Sequence, residues 1–186
     1  ANAIWLWGSG RALTLQTIPQ RFGISGGVIS AVDLVRGIGK SAGLEVIEVP
    51  AITGYLDTNF EGKAEYALAA LTQGDFVYVH VEAPDEAGHN GDVQAKVKAI
   101  EDFDGRVVAP ILAGLDRIGP CRILVAPDHR TPIALRTHSR DPVPFVLWGT
   151  DAESDAMVAY GEKPAEQGSM QVGHGHLLMQ YLMAND

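Results

Sequence analysis

Cysteine is nearly missing from this sequence. Cys121 is the single one among 186 residues, so no disulfide framework exists, and a reducing compartment such as the cytoplasm fits that usage. Long apolar runs are missing as well. The longest have the length of a strand, well short of the roughly 18 residues that a membrane-crossing helix needs, so no membrane partner is expected. The first residues lack the basic and long apolar regions of a secretory signal. Positive charge is scarce: 14 Lys and Arg against 23 Asp and Glu leave a net charge of −9 with His neutral. A nucleic-acid surface calls for a basic stripe, so that class of partner is excluded. An anionic small molecule is not excluded, because bound cations can supply positive charge locally.

What is present suits one globular domain with a full core: 46% hydrophobic and 20% charged residues. Short apolar runs alternate with longer amphipathic stretches. Residues 3–7, 26–30, 44–49, 76–81, 122–126 and 143–148 read as strands. Gly8-Ser9-Gly10 closes the first and lacks the spacing of a nucleotide-binding loop. Residues 32–38 and 62–71 read as helices, and 177–183 as a closing helix. Residues 93–115 read as one long helix, with apolar positions at Val93, Val97, Ile100, Phe103, Val107, Val108 and Ile111 and a bend at Pro110. Residues 151–171 are polar and read as irregular. This alternation predicts an α/β fold, a mostly parallel sheet flanked by helices.

Three segments carry the chemistry. Val81-Glu82-Ala83-Pro84-Asp85-Glu86-Ala87-Gly88-His89 leaves a strand end, and so does Ala126-Pro127-Asp128-His129. Arg136-Thr137-His138-Ser139-Arg140-Asp141-Pro142 precedes a strand. Ligands of open α/β sheets bind outside the carboxyl ends of strands. Mixed Asp and His donors suit zinc, manganese and similar divalent ions. A single Asp-x-x-x-His pair is common by chance, but three such segments in order at strand ends point to a metal site. The chemistry that needs this set is attack on a phosphate ester. Two cations about 4 Å apart neutralise its oxygens and hold both the attacking and the leaving oxygen.

The same segments sit in longer matching stretches: W-L-W-G-S-G (5–10), I-S-A-V-D-L-V-R-G-I-G (29–39), G-Y-L-D-T-N-F-E-G-K-A (54–64), V-H-V-E-A-P-D-E-A-G-H (79–89), P-D-H-R-T-P (127–132) and R-T-H-S-R-D-P-V-P-F (136–145). Together they resemble the alkaline phosphatase superfamily and, more closely, the archaeal-type, cofactor-independent (2,3-bisphosphoglycerate-independent) phosphoglycerate mutases. The resemblance implies an alkaline-phosphatase-like fold, here incomplete. Residues 1–186 would be the C-terminal part of its metal-binding domain, and the apolar residues 3–7 are an abrupt beginning. It implies that Asp85, His89 and His138 hold one metal and that Asp128 and His129 help to hold the other. A further Asp and the nucleophilic Ser would come from an earlier segment that none of the serines here matches. The implied ions are manganese, zinc, cobalt or magnesium. The implied reaction is the glycolytic interconversion of 3- and 2-phosphoglycerate in the whole enzyme, with the 186 residues alone inactive. Hydrolysis of phosphate or sulfate esters and a non-catalytic, metal-stabilised domain are the alternatives. Ala51-Ile52 departs from the family's Gly-Ala tendency, and Arg130 after the Asp-His pair is a second departure.

Secondary candidates surround these segments. Arg130 and Arg140 flank ligand segments and are the candidate substrate-binding residues, with Arg11, Lys40, Lys63 and Arg136 as further cations for a phosphate or carboxylate. Asp57, Thr58 and Asn59 read as a helix N-cap. His80 reads as a satisfied core histidine, Glu82 as a partner that orients a ligand, and Gly173-His174-Gly175-His176 as a loop. Strands apolar at nearly every position imply covering on both faces. A face left bare by an absent segment is expected to drive self-association or to leave an apolar groove.

Overall fold

A computed structural model describes residues 14–150, 154, 155 and 157–183. The strand read at residues 3–7, the Gly8-Ser9-Gly10 turn and Arg11 lie outside them. Three strands form a parallel sheet: β1 (Gly26–Ile29), β2 (Glu45–Val46) and β3 (Phe76–Val79), in the order β2-β1-β3. Helix α2 (Asp33–Ser41) connects β1 to β2, and α3 (Phe60–Leu71) lies between β2 and β3. The expected strand at 44–49 pairs only over two residues. Beyond them Ile47 still donates to the Val28 carbonyl at 2.9 Å, and Leu44 and Val49 remain buried. Ahead of the sheet lies a short helix that was not anticipated, α1 (Ile18–Phe22). Thr17 and Gln20 form a reciprocal capping box at its start, and Gly23 closes it with φ 71°.

The core lies around this sheet. Val28, Ile29, Phe60, Ala67, Ala99 and Val107 are all buried. Phe60, Ala83, Ala99 and Val107 pack together on one side. Ile29, Val49 and Ala67 pack as a second group, and Ile111 touches both. Asn59 caps α3 by accepting from the Gly62 amide at 2.9 Å, as the N-cap reading had it.

Residues 93–115 do not form one uniform helix. Helix α5 (Val93–Phe103) runs into a π-helical turn (Asp104–Val108), then α6 (Ala109–Ala113) and a 3₁₀ turn (Leu115–Arg117). The Ala109 amide bonds back to the Asp104 carbonyl, five residues away. Pro110 has no N–H for the carbonyl four residues before it, so the wide turn falls where an α-helical ladder would be broken anyway. The extra residue shifts the helical phase by about 100°. The apolar stripe read from the sequence is therefore split. Val107 faces the core, whereas Val93, Val97 and Ile100 are 57%, 50% and 51% exposed.

The last two long strands, β4 (Arg122–Val125) and β5 (Val146–Gly149), form a separate antiparallel pair with Ile123 opposite Trp148. Their connection contains no helix, in keeping with an antiparallel return, since parallel crossovers usually carry one. Helix α7 (Glu162–Ala165) interrupts the stretch read as irregular, and α8 (Leu178–Met183) is the closing helix. Among the described residues two non-glycine residues have left-handed backbones, Ala51 at φ 57° and Arg136 at φ 54°. Among the described residues no helix is long and apolar enough to cross a membrane.

Candidate metal centre

The first ligand segment is a helix, α4 (Ala83–Asn90), where the sequence reading had only a strand exit. Its signals were present: Pro84 in the first turn, acidic Asp85 and Glu86 beside it, and Gly91 closing it with φ 71°. On a helix, residues four apart share a face, so Asp85 and His89 point the same way. Gly88 between them has a separate purpose. A Cβ there would lie 2.7 Å from the Thr131 carbonyl and 2.9 Å from Lys96 Nζ, so only glycine lets the segment after β4 approach this closely. Lys96, from α5, donates to that same carbonyl at 2.6 Å.

The second and third segments are tied to each other. The Ser139 amide donates to the Arg130 carbonyl at 3.0 Å, and Arg130 Nε donates to the Pro142 carbonyl at 2.6 Å. This brings His129 and His138 into a stack with ring centroids 3.7 Å apart. His138 also meets His89, Nε2 to Nε2 at 3.0 Å. Asp85 lies between them, with Oδ2 3.3 Å from His89 Nε2 and Oδ1 3.4 Å from His138 Nε2. His129 Nε2 is 3.4 Å from Asp128 Oδ2, and His129 Nδ1 is 3.2 Å from the Thr131 hydroxyl. Thr131 in turn donates to Asp85 Oδ1. All five proposed ligands thus fall in one cluster, and donor atoms of Asp85, His129 and His138 lie within 4.8 Å of one another.

The donor set fits a cation. His89 Nδ1 lies 3.0 Å from the Arg136 carbonyl, which can only accept, so Nδ1 carries a proton, and in the neutral ring Nε2 is left as a lone pair. That lone pair faces a carboxylate oxygen and another imidazole nitrogen. An imidazole pair and a carboxylate set together in this way can close around a positive ion, and the bond to a backbone carbonyl is the usual outer contact of a ligating histidine. With bonds of about 2.0–2.1 Å, the edge of a tetrahedral site is about 3.3–3.4 Å. The His89–His138 separation is 3.0 Å, and Asp85 reaches His89 at 3.3 Å through Oδ2 and His138 at 3.4 Å through Oδ1, so both of its oxygens face the pair. Negative charge accumulates here too. Burial pushes the Glu82 carboxyl above its usual range, and the charges of Asp85, Glu86 and Asp128 push it further.

Behind the cluster a polar chain enters the core. His80 Nδ1 is 3.0 Å from the Ser30 hydroxyl, and His80 Nε2 is 3.2 Å from Glu82 Oε2. Burial lowers the His80 pKa and keeps the ring neutral, in keeping with its reading as a satisfied core histidine. Lys63, read as a candidate anion binder, is fully buried instead and donates to the His80 carbonyl at 2.8 Å. Arg140, two residues after His138, is exposed, and Arg136 lies over Gly91. His174 and His176 stack at 5.5 Å at the start of a 3₁₀ turn. Thr131 and Lys96 escaped the sequence reading. For Thr131 a signal existed: it stands two residues after His129, and in extended chain such residues share a side.

Comparison with known proteins adds the lineage. The family model described as "Metalloenzyme superfamily" matches residues 2–185. Over 184 residues the chain is 54% identical to the Geobacter sulfurreducens protein named "Probable 2,3-bisphosphoglycerate-independent phosphoglycerate mutase", covering 98% of this chain and 46% of that protein. Over 172 residues it is 55% identical to the Methanosarcina acetivorans protein named "2,3-bisphosphoglycerate-independent phosphoglycerate mutase", covering 91% and 43%. The solved structure of a Pyrococcus horikoshii protein matches with a TM-score of 0.81 and 29% identity, over 90% of this chain and 43% of its own. The chain therefore spans less than half the length of these relatives.

Proposed function

The chain belongs to the metalloenzyme superfamily, which implies divalent metal binding, and on that premise we propose that it supplies the metal-binding part of a phosphoglycerate mutase. In the whole protein the reaction would move a phosphoryl group between the two neighbouring hydroxyls of phosphoglycerate, a glycolytic step in the cytoplasm. Asp85, His89 and His138 would hold one divalent ion, and Asp128 and His129 would help to hold a second, with manganese, zinc, cobalt and magnesium as the candidates. The observation that carries this reading is the convergence of Asp85, His89 and His138 to within 3.0–3.4 Å in a chain more than half identical to proteins named as such mutases. When bound, the ions would neutralise the transferring phosphoryl group and lower the pKa of the attacking hydroxyl.

The chain's own residues do the holding. Asp85 and His89 come from one rigid helical face, and His89 is aimed by the Arg136 carbonyl. Arg130 and Arg140 lie within or beside the ligand segments and would meet the substrate's anionic groups. The nucleophilic serine would come from outside these 186 residues. Ser139, next to His138, turns its hydroxyl to Asp141 at 2.6 Å. The test is conversion of 3- to 2-phosphoglycerate by a protein of the relatives' length that carries this chain, with and without a chelator. Turnover that needs added cation and fails in Asp85→Asn supports the reading. Turnover untouched by both sinks it. The 186 residues alone should show none.

A further inference from the structure

We infer that Thr131 is a positioning residue that joins the two halves of the site: its hydroxyl gives its one proton to Asp85 and accepts the Nδ1 proton of His129, so that His129 presents a bare Nε2. The inference rests on the metal reading above and extends it to a residue outside the ligand set. A threonine hydroxyl has one proton and two lone pairs, and an ionised carboxylate can only accept. The Thr131 proton is therefore committed to Asp85 Oδ1. The remaining contact, 3.2 Å to His129 Nδ1, is a hydrogen bond only if that nitrogen carries the proton. In the neutral ring His129 Nε2 is then a lone pair, 3.4 Å from the Asp128 carboxylate. Two acceptors facing each other at that distance repel unless a proton or a metal ion lies between them.

The position of Thr131 is tightly fixed. It is 3% exposed, its carbonyl is held by Lys96 at 2.6 Å, and Gly88 removes the side chain that would push it away from α4. His89 reaches the same state by another route, through the Arg136 carbonyl. One hydroxyl thus sets the tautomer of a ligand assigned to one ion and the orientation of a carboxylate assigned to the other. Partners of this kind shift metal affinity by about 10–100-fold when removed.

The experiment compares Thr131→Val, which keeps the shape and loses the hydroxyl, with Thr131→Ser, which keeps the hydroxyl and loses the methyl. Nitrogen-15 chemical shifts of the His129 ring in the metal-free chain report the tautomer, and calorimetric titration with Mn²⁺ reports affinity. The expected result is an Nδ1-protonated His129 in the parent and in Thr131→Ser, and a mixture of tautomers in Thr131→Val with Mn²⁺ binding weakened by about 10–100-fold. A Thr131→Val chain that keeps the parent tautomer overturns the inference, and so does a Thr131→Ser chain as impaired as Thr131→Val. If the parent binds no Mn²⁺, the metal reading fails by itself, and the tautomers of the metal-free chains still decide the role of Thr131.

Discussion

Every buried Val, Ile, Leu, Phe and Ala among the described residues lies between Val28 and Val107. None lies in β4, β5 or the segments around them. There the strand side chains are half-buried at best, Val146 and Trp148 are 43% and 41% exposed, and the buried polar side chain is Thr131. The parallel-sheet region is thus held by packing. Across the site, the region after β4 is held to it by polar contacts: Thr131 to Asp85, Lys96 to Thr131, and His89 to Arg136. Apolar burial is non-directional, whereas hydrogen bonds fix distances and angles. The site lies on the seam, with Asp85 and His89 from the packed side and Asp128, His129 and His138 from the other. Its geometry therefore depends on contacts that specify position more than they add stability.

The largest expected effect tests the packed side. Phe60→Ala should cost about 3–5 kcal/mol of unfolding free energy, since Phe60 is fully buried at the centre of a core group. Leu124→Ala in half-buried β4 should cost clearly less. Denaturant titration of both variants checks the contrast, and equal costs would erase it. On the seam, Asp85→Asn should weaken Mn²⁺ binding by at least about 100-fold, the upper end of what loss of an outer partner alone produces. It should also abolish the rise in melting temperature that the ion gives the parent, since a ligand that binds only the folded state stabilises it. Calorimetry with and without Mn²⁺ reads both effects.

A pH series sharpens the comparison further. Burial lowers the Lys63 pKa from 10.5 to about 8 in the folded chain, with the charge of Glu82 pulling it back up. Below pH 8 the ammonium is charged in both the folded and the unfolded state, and its burial cost is fully present. Between about 8 and 10.5 the unfolded chain binds more protons, so stability should rise with pH. The difference in melting temperature between the parent and Lys63→Met, followed across that window, isolates this group. A flat difference would show that Lys63 keeps its ordinary pKa. The smallest effect belongs to Ala51, whose φ of 57° is a conformation that glycine adopts without strain. Ala51→Gly should stabilise by up to about 1 kcal/mol, because relief of strain is partly offset by the greater freedom of the unfolded chain.

Much of this was readable beforehand, and the reasons differ by region. Strands β1 and β3 announced themselves as short apolar runs of strand length. The five Asp and His residues stood out because each follows or precedes a strand, where an α/β fold gathers its functional groups. The antiparallel pairing of β4 with β5 was not legible, since pairing is a long-range property and neither strand states its partner. Helix α4 was missed because eight residues containing Pro84 and Gly88 carry little helix propensity. Capping and tertiary contact decide it instead. Thr131 was missed because a lone threonine has no pattern, and its role exists only once α4 is in place.

The wide turn at Asp104–Val108 bears on how related sequences should be compared. It divides the helical stretch into two reading frames, one in which Ala99 faces inward and one in which Val107 does. Gly105, with open space where a side chain would project, is a residue the turn could lose. A relative one residue shorter there would carry its downstream positions in the other frame. An alignment that closed such a gap would set inward residues against outward ones, and substitutions across it would look like a change of hydrophobic character where only the count had changed.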